Sequence, residues 1–193
     1  MIDKALKFIL AELNNYLDAS FPGNEKTAVL ASLSNPDDSV PLGIDNKLVL
    51  TLVNIERETA VGSTGFVSRQ GAAYGKTNPT LFLNLYVLLS ASYANNYADG
   101  ALRMLSHAMA FFQAKWGFDP QNSAEFPPGM NQLSMEVVSL SMSELSTLWA
   151  VLGANYLPSV VYKLRMVTVQ EGWVITPIPG VDTTAPVLAG NQA

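Results

Sequence analysis

Cysteine is absent from the 193 residues, and histidine occurs once, at His107. The first absence excludes a disulfide framework, thiolate-held zinc or iron–sulfur clusters and a cysteine nucleophile, and it fits a chain folded in a reducing cytoplasm. The second leaves no imidazole pair for a metal. Charge is also scarce: 14% of residues are charged, 16 acidic against 11 basic, for a net charge of −5. An acidic chain without a basic block does not neutralise phosphates, so nucleic acid is not an expected partner. The longest apolar run, Leu81 to Ala91, is broken by Asn84 and falls short of the ~20 residues that span a bilayer. The opening stretch carries Asp3 and Glu12, which is not the build of a signal peptide. A soluble protein without membrane insertion is expected. What is plentiful is apolar material, 49% of the chain. Most of the length must therefore fold, and a surface so poor in charge is expected to bury apolar area against another protein.

Periodicity assigns a helix to residues 3–18, with Leu6, Ile9, Leu10, Leu13 and Leu17 inward and Lys7, Glu12, Asn14 and Asp18 turned away. Thr27–Ser34 reads as a strand. Asp37, Asp38 and Asp45 follow in a polar loop, where they suit turns better than a calcium site, lacking its glycine and terminal glutamate. Lys47–Glu58 is apolar at alternating positions on both faces, as a central strand requires. From Thr59 to Asn78 glycine, serine and threonine dominate without period, the pattern of a long loop, and Gly62–Lys76 is expected to order against a neighbour. Thr80–Ser90 fits a buried strand, with a buried helix as the rival reading. Residues 97–116 place Ala98, Leu102, Leu105, Met109, Phe112 and Trp116 on one helical stripe. Leu133–Leu140 is a further strand. Ser141 and Glu144 have capping-box spacing and should open a helix that ends at Gly153. Ser159–Gln170 reads as a long strand, with Val161, Lys163, Arg165 and Val167 on one face. The whole is an α/β fold, a single mixed sheet of about five strands covered by about three helices. Its domain is expected over residues 1–171. A Pro-rich tail, 172–193, should be extended or disordered.

Chemistry is hard to find. GAAYGKT at residues 71–77 has the lysine and threonine of a phosphate loop, but its two glycines are too close and Asn78-Pro79 follows where a helix must open. His107 and Ser106 are adjacent, point ~100° apart on a helix and cannot share a proton. Glu12, Glu56, Glu58, Glu136 and Glu144 show no pairing that fixes two carboxylates on one face. The methionines, Met104, Met109, Met130, Met135, Met142 and Met166, read as core fillers rather than as an adaptable surface. Lys163 and Arg165 either blunt an edge strand or meet an acidic partner. No catalytic, cofactor-binding or metal site is assigned.

At residues 144–166, Leu148-Trp149, Leu152-Gly153, Tyr156, Pro158-Ser159 and Tyr162-Lys163 stand in register. With NPTLFLNLYVLLSA at 78–91 and YADGALRMLSHAMAFFQ at 97–113, the stretch resembles the N-terminal domain of cap, or tail-terminator, proteins of extracellular contractile injection systems of the antifeeding-prophage and virulence-cassette type. The resemblance covers roughly residues 1–170 and implies a phage tail-terminator fold. It further implies a non-enzymatic protein without cofactor, built in the bacterial cytoplasm into a particle that is released or stays inside. Its partners would be itself, as a homohexameric ring, and the sheath and inner-tube proteins. On this reading Lys163, Arg165, Val161 and Val167 form a candidate sheath or tube interface, and reversing both charges should leave the fold intact. Trp149, Tyr156, Pro158 and Tyr162 are candidate structural anchors. The alternative is a small-molecule or lipid-binding soluble module.

Overall fold

The computed structural model describes residues 1–22, 27–37, 39–59, 67–70, 73–77, 81–169 and 174–178. In chain order the elements are α1 (Ile2–Ser20), β1 (Ala28–Leu30), β2 (Lys47–Arg57), β3 (Val67–Gln70), β4 (Ala73–Thr77) and β5 (Leu81–Ser92). A π-helical turn (Tyr97–Leu102) then runs into α2 (Arg103–Ala114), followed by β6 (Gly117–Phe118), β7 (Leu133–Val138), α3 (Met142–Leu152), β8 (Ser159–Val169) and β9 (Val174–Ile178). They fall into two compact units, Met1–Val61 with Leu81–Val169, and Gly62–Thr80 with Gln170–Ala193.

The larger unit holds a six-stranded sheet in the order β1-β2-β5-β8-β7-β6. It is mixed because β1 runs parallel to β2 while the other neighbours are antiparallel. The strand missing from the sequence count is β6, whose two residues are too few to leave a period. On β5 the strand wins over the helix because each of its faces has its own cover. Leu85, Val87 and Leu89 pack with Leu6, Ile9, Leu13 and Leu17 of α1 and with Phe112 of α2. Leu88 packs on the other face with Val49, Val161 and Trp149 of α3. Each fully buried leucine contributes about 1.5–3 kcal/mol.

Two residues of α1 and α2 depart from the periodic reading. Asn14, assigned to solvent, is buried. Its Nδ2 donates to the Ala28 carbonyl at 2.9 Å and its Oδ1 accepts from the Ala28 N–H at 2.9 Å. Those two groups face away from β2, so one amide side chain takes both outward groups of Ala28 on the outer edge of the sheet. On α2 the core side is Met104, Leu105, Ala108, Phe111 and Phe112, whereas Leu102, Met109 and Trp116 of the expected stripe are exposed. The helix carries apolar residues around more than half its girth, so periodicity leaves its rotation loose and packing fixes it. His107 is partly covered, its ring edge-on to Phe21 with centroids 4.7 Å apart. Asn96 Oδ1 accepts from Gly100 N at 3.0 Å to cap the π-helical turn, and a Cβ on Gly100 would stand 2.8 Å from the Tyr93 ring.

β8 corrects a second expectation. Leu83 of β5 faces Val167 and Leu85 faces Leu164, so two steps on one strand match three on the other. This bulge inverts the alternation. Val167 thus joins Tyr162 and Leu164 beneath α1 and α2, while Val161 lies under α3.

The second unit is a three-stranded antiparallel sheet, β3-β4-β9. Two short strands therefore stand inside the segment read as loop, and one, Val174–Ile178, stands in the Pro-rich tail. Strands of four and five residues, VSRQ and AYGKT, show no sustained apolar alternation. The pairing of β4 with β9 spans about a hundred residues, beyond any local signal. The rest of the glycine-rich segment expected to order against a neighbour, and the rest of the tail, lie outside the described residues.

Candidate interaction surface

β8 is an interior strand, hydrogen-bonded to β5 on one side and β7 on the other. It is not an edge that Lys163 and Arg165 protect, nor one that exchanges strands while the sheet is closed. Of the four candidate interface residues, Val161 and Val167 are buried. Lys163 and Arg165 are partly exposed on the face that α3 covers only in part.

Around them the fold gathers charges that no sequence spacing links. Arg165 Nη2 lies 3.0 Å from Oε2 of the buried Glu58, and its Nη1 lies 3.3 Å from Oε1 of Glu136. Asn84 Nδ2 also donates to Glu58 Oε2, at 3.0 Å. The hydrogen bond to Glu58, and then the charge of Glu136, hold the Arg165 pKa above its ordinary value. Lys163 Nζ sits 5.5 Å from the Tyr86 ring centroid, and the Tyr86 hydroxyl donates to Glu56 Oε2 at 2.9 Å. The carboxylates are brought together by strand pairing, so they were invisible to a search along the chain.

This network changes what charge reversal should do. Arg165→Glu would place a third carboxylate beside Glu58 and Glu136, and we expect it to lower stability by at least about 2 kcal/mol, read as a urea midpoint. Lys163→Glu sets like charges across from Glu136 and should cost only about 0.2–1 kcal/mol. Equal midpoints for the two variants would remove the network from the stability of the fold.

The four anchors separate. Trp149 is buried against Leu33, Ile44, Val49, Leu88 and Val161. Tyr156 is exposed and meets the Trp149 ring edge-on, centroids 5.6 Å apart. The Pro158 carbonyl accepts from Ala91 N at 2.9 Å, fixing the entry to β8. Tyr162 is fully buried, its ring 5.1 Å from that of Phe112. Its hydroxyl has no hydrogen-bond partner among the described residues, and burial pushes its pKa up from 10.0 to about 12. The neutral phenol is favoured in the folded state, so its stability contribution is complete below pH ~10 and is lost as pH rises toward ~12, about 2–3 kcal/mol. Tyr162→Phe should be neutral or stabilising at pH 7 and should lose less stability than the parent between those pH values. Parallel curves would refute the assignment.

A cleft of about 590 Å³ between α3 and the loop after β1 is lined by Leu33, Ile44, Trp149 and Leu157, with Asp45 as its one titratable side chain among the described residues. It offers no acid–base pair. No group of three potential metal ligands occurs among the described residues, and none of their helices is long and apolar enough to cross a membrane. Asp37 sits in a turn, accepting from the Ser39 N–H at 3.2 Å and hydroxyl at 2.6 Å.

No curated protein matches the chain by sequence. Solved structures do match by fold. One is the PVC sheath/tube terminator, in the extended state, of an extracellular contractile injection system, with TM-score 0.58 and 15% identity over 100% of this chain and 62% of that one. Another is the tube-terminating cap of the anti-feeding prophage, with TM-score 0.57 and 15% identity over 96% of this chain and 61% of that one. The chain thus spans about three fifths of the length of each. At family level the match is direct, the model of the Pvc16 N-terminal domain aligning with residues 5–181. The chain belongs to the Pvc16 N-terminal domain family.

Proposed function

We propose that this chain is a structural cap of a phage-tail-like contractile injection system. It ends polymerisation of the inner tube and sheath and holds the sheath extended until firing. The family match over residues 5–181 carries this reading, and the fold shared with two terminators supports it. The chain works as a homohexameric ring, assembled in the bacterial cytoplasm, with the sheath and tube proteins of the same particle as its partners. A head-to-tail contact whose rotation divides a full turn closes into such a ring, which suits the end of a tube. No catalysis is part of this role. The face bearing Lys163 and Arg165 meets a partner of the particle, with Val161 buried on that face beneath α3.

Size-exclusion chromatography with mass detection should return a hexamer, alone or on addition of tube and sheath. Particles assembled without the chain should have tubes of uncontrolled length or sheaths that contract spontaneously. A monomer that never associates with tube ends, or one that copurifies with a small ligand, would favour a binding module instead.

A further inference from the structure

The two outer edges of the six-stranded sheet are finished differently. At β1, both outward groups of Ala28 are taken by Asn14. At β7, the short strand β6 pairs only with Leu133 and Ser134, and the last bond on that side runs from Met135 N to the Trp116 carbonyl at 2.8 Å. Beyond it no described residue bonds to that side of the strand. Backbone groups of one residue point to the same side of a strand, and alternate residues point to opposite sides. Since Met135 N–H points outward, the Met135 carbonyl and the N–H and carbonyl of Val137 also point outward, and no hydrogen bond reaches them from any described residue.

The side chains around this open edge are as specific as the backbone. Val137 lies across from Tyr162 and is 56% exposed. Trp116, in register with Met135, shares that face and is 59% exposed. On the opposite face Glu136 is exposed, and its ion-pair partner Arg165 holds Glu58 more closely, at 3.0 Å against 3.3 Å. Lys163, across from Glu136 in register, is turned over the Tyr86 ring. One face of the edge calls for an apolar neighbour and the other has room for a cation.

We propose that the open half of β7 is a docking site for an extended segment of another protein, which adds to the sheet as a strand in line with β6. The segment alternates apolar side chains, set against Val137 and Trp116, with a basic side chain set against Glu136. A second copy of this chain fits poorly. Two β7 edges paired together would bring their Glu136 carboxylates directly or diagonally opposite, and at the β1 edge Asn14 already holds both outward groups of Ala28. This inference rests on the edge geometry and stands apart from the cap reading.

An alternating valine–lysine heptapeptide is the probe, and an alternating valine–glutamate heptapeptide its control. With isotope-labelled full chain, the lysine peptide should slow amide exchange at Val137 and shift the resonances of residues 135–138, while the glutamate peptide should bind about tenfold more weakly or worse. Val137→Pro removes an outward N–H and leaves the pairing with β8 untouched, so the fold should survive while peptide affinity drops about tenfold. Glu136→Lys, an exposed substitution, should reverse the preference between the two peptides. The proposal is overturned if Val137 gains no protection, if Val137→Pro binds as the parent does, if Glu136→Lys leaves the preference unchanged, or if the edge is instead occupied by β7 of a second copy in solution.

Discussion

Trp149→Ala is expected to remove about 3–5 kcal/mol of stability. Trp149 is the one buried residue of α3, while Met142 and Val151 of the same helix are exposed. The helix itself is well started and well stopped. Ser141 and Glu144 form a capping box, with Glu144 N 3.3 Å from Ser141 Oγ and Ser141 N 2.7 Å from Glu144 Oε2. Gly153 ends it in the left-handed region at φ 61°, where a side chain would be strained. Good ends do not attach a helix to a sheet, and an eleven-residue helix is marginal alone. Attachment falls to the indole, which fills the space above Val49, Leu88 and Val161. Its Nε1 has no hydrogen-bond partner among the described residues, so the ring acts by volume and Trp149→Phe should recover much of the loss. Urea unfolding measures both. A Trp149→Ala variant with the parent's midpoint would show that α3 does not hold this face of the core.

Asn14→Ala should cost about 2–4 kcal/mol, through a different mechanism. The substitution removes two hydrogen bonds of 2.9 Å and leaves the N–H and carbonyl of a fully buried Ala28 without partners. The penalty is the desolvation of those two backbone groups rather than any loss of packing. It follows that Asn14→Leu, which restores volume and apolar contact on α1, should rescue little. Hydrogen exchange at Ala28 reports the event directly: fast exchange in both variants is expected. Protection of Ala28 equal to the parent's, with an unchanged urea midpoint, would show that α1 covers the edge by bulk alone.

Much of the sheet can be read from the chain because its long strands are apolar on both faces. Leu48 and Leu50, and Leu85, Val87 and Leu89, repeat at two-residue spacing on one face, while Val49 and Leu88 pack on the other. The capping box and Gly153 bound α3 for the same reason: their chemistry is local. What could not be read is everything settled by pairing across long separations. Val167 changes face through a bulge defined by β5, about eighty residues away. Asn84, Glu136 and Arg165 come from three strands and Glu58 from the residue just past β2, and they meet only because of the strand order. Asn14 looked like a solvent residue because a polar side chain on a helix carries no mark of the backbone group it will serve. Met109 sits on a helix with too much apolar girth for its rotation to be deduced, and Trp116, read as part of that helix, lies beyond its end at Ala114.

The place of β8 also dictates when the sheet can form. This strand lies between β5 and β7, yet it follows both in the sequence. During synthesis at about 5–20 residues per second, everything from Leu81 to Pro158 emerges before the strand that joins the two halves. For several seconds the twelve-residue apolar β5 and the inner side of β7 both present unpaired backbone. A chain stopped before Ser159 would keep those edges permanently and should aggregate, as open apolar strands do. Completion of β8 is thus the step that turns a sticky nascent chain into a folded one with its central strands paired.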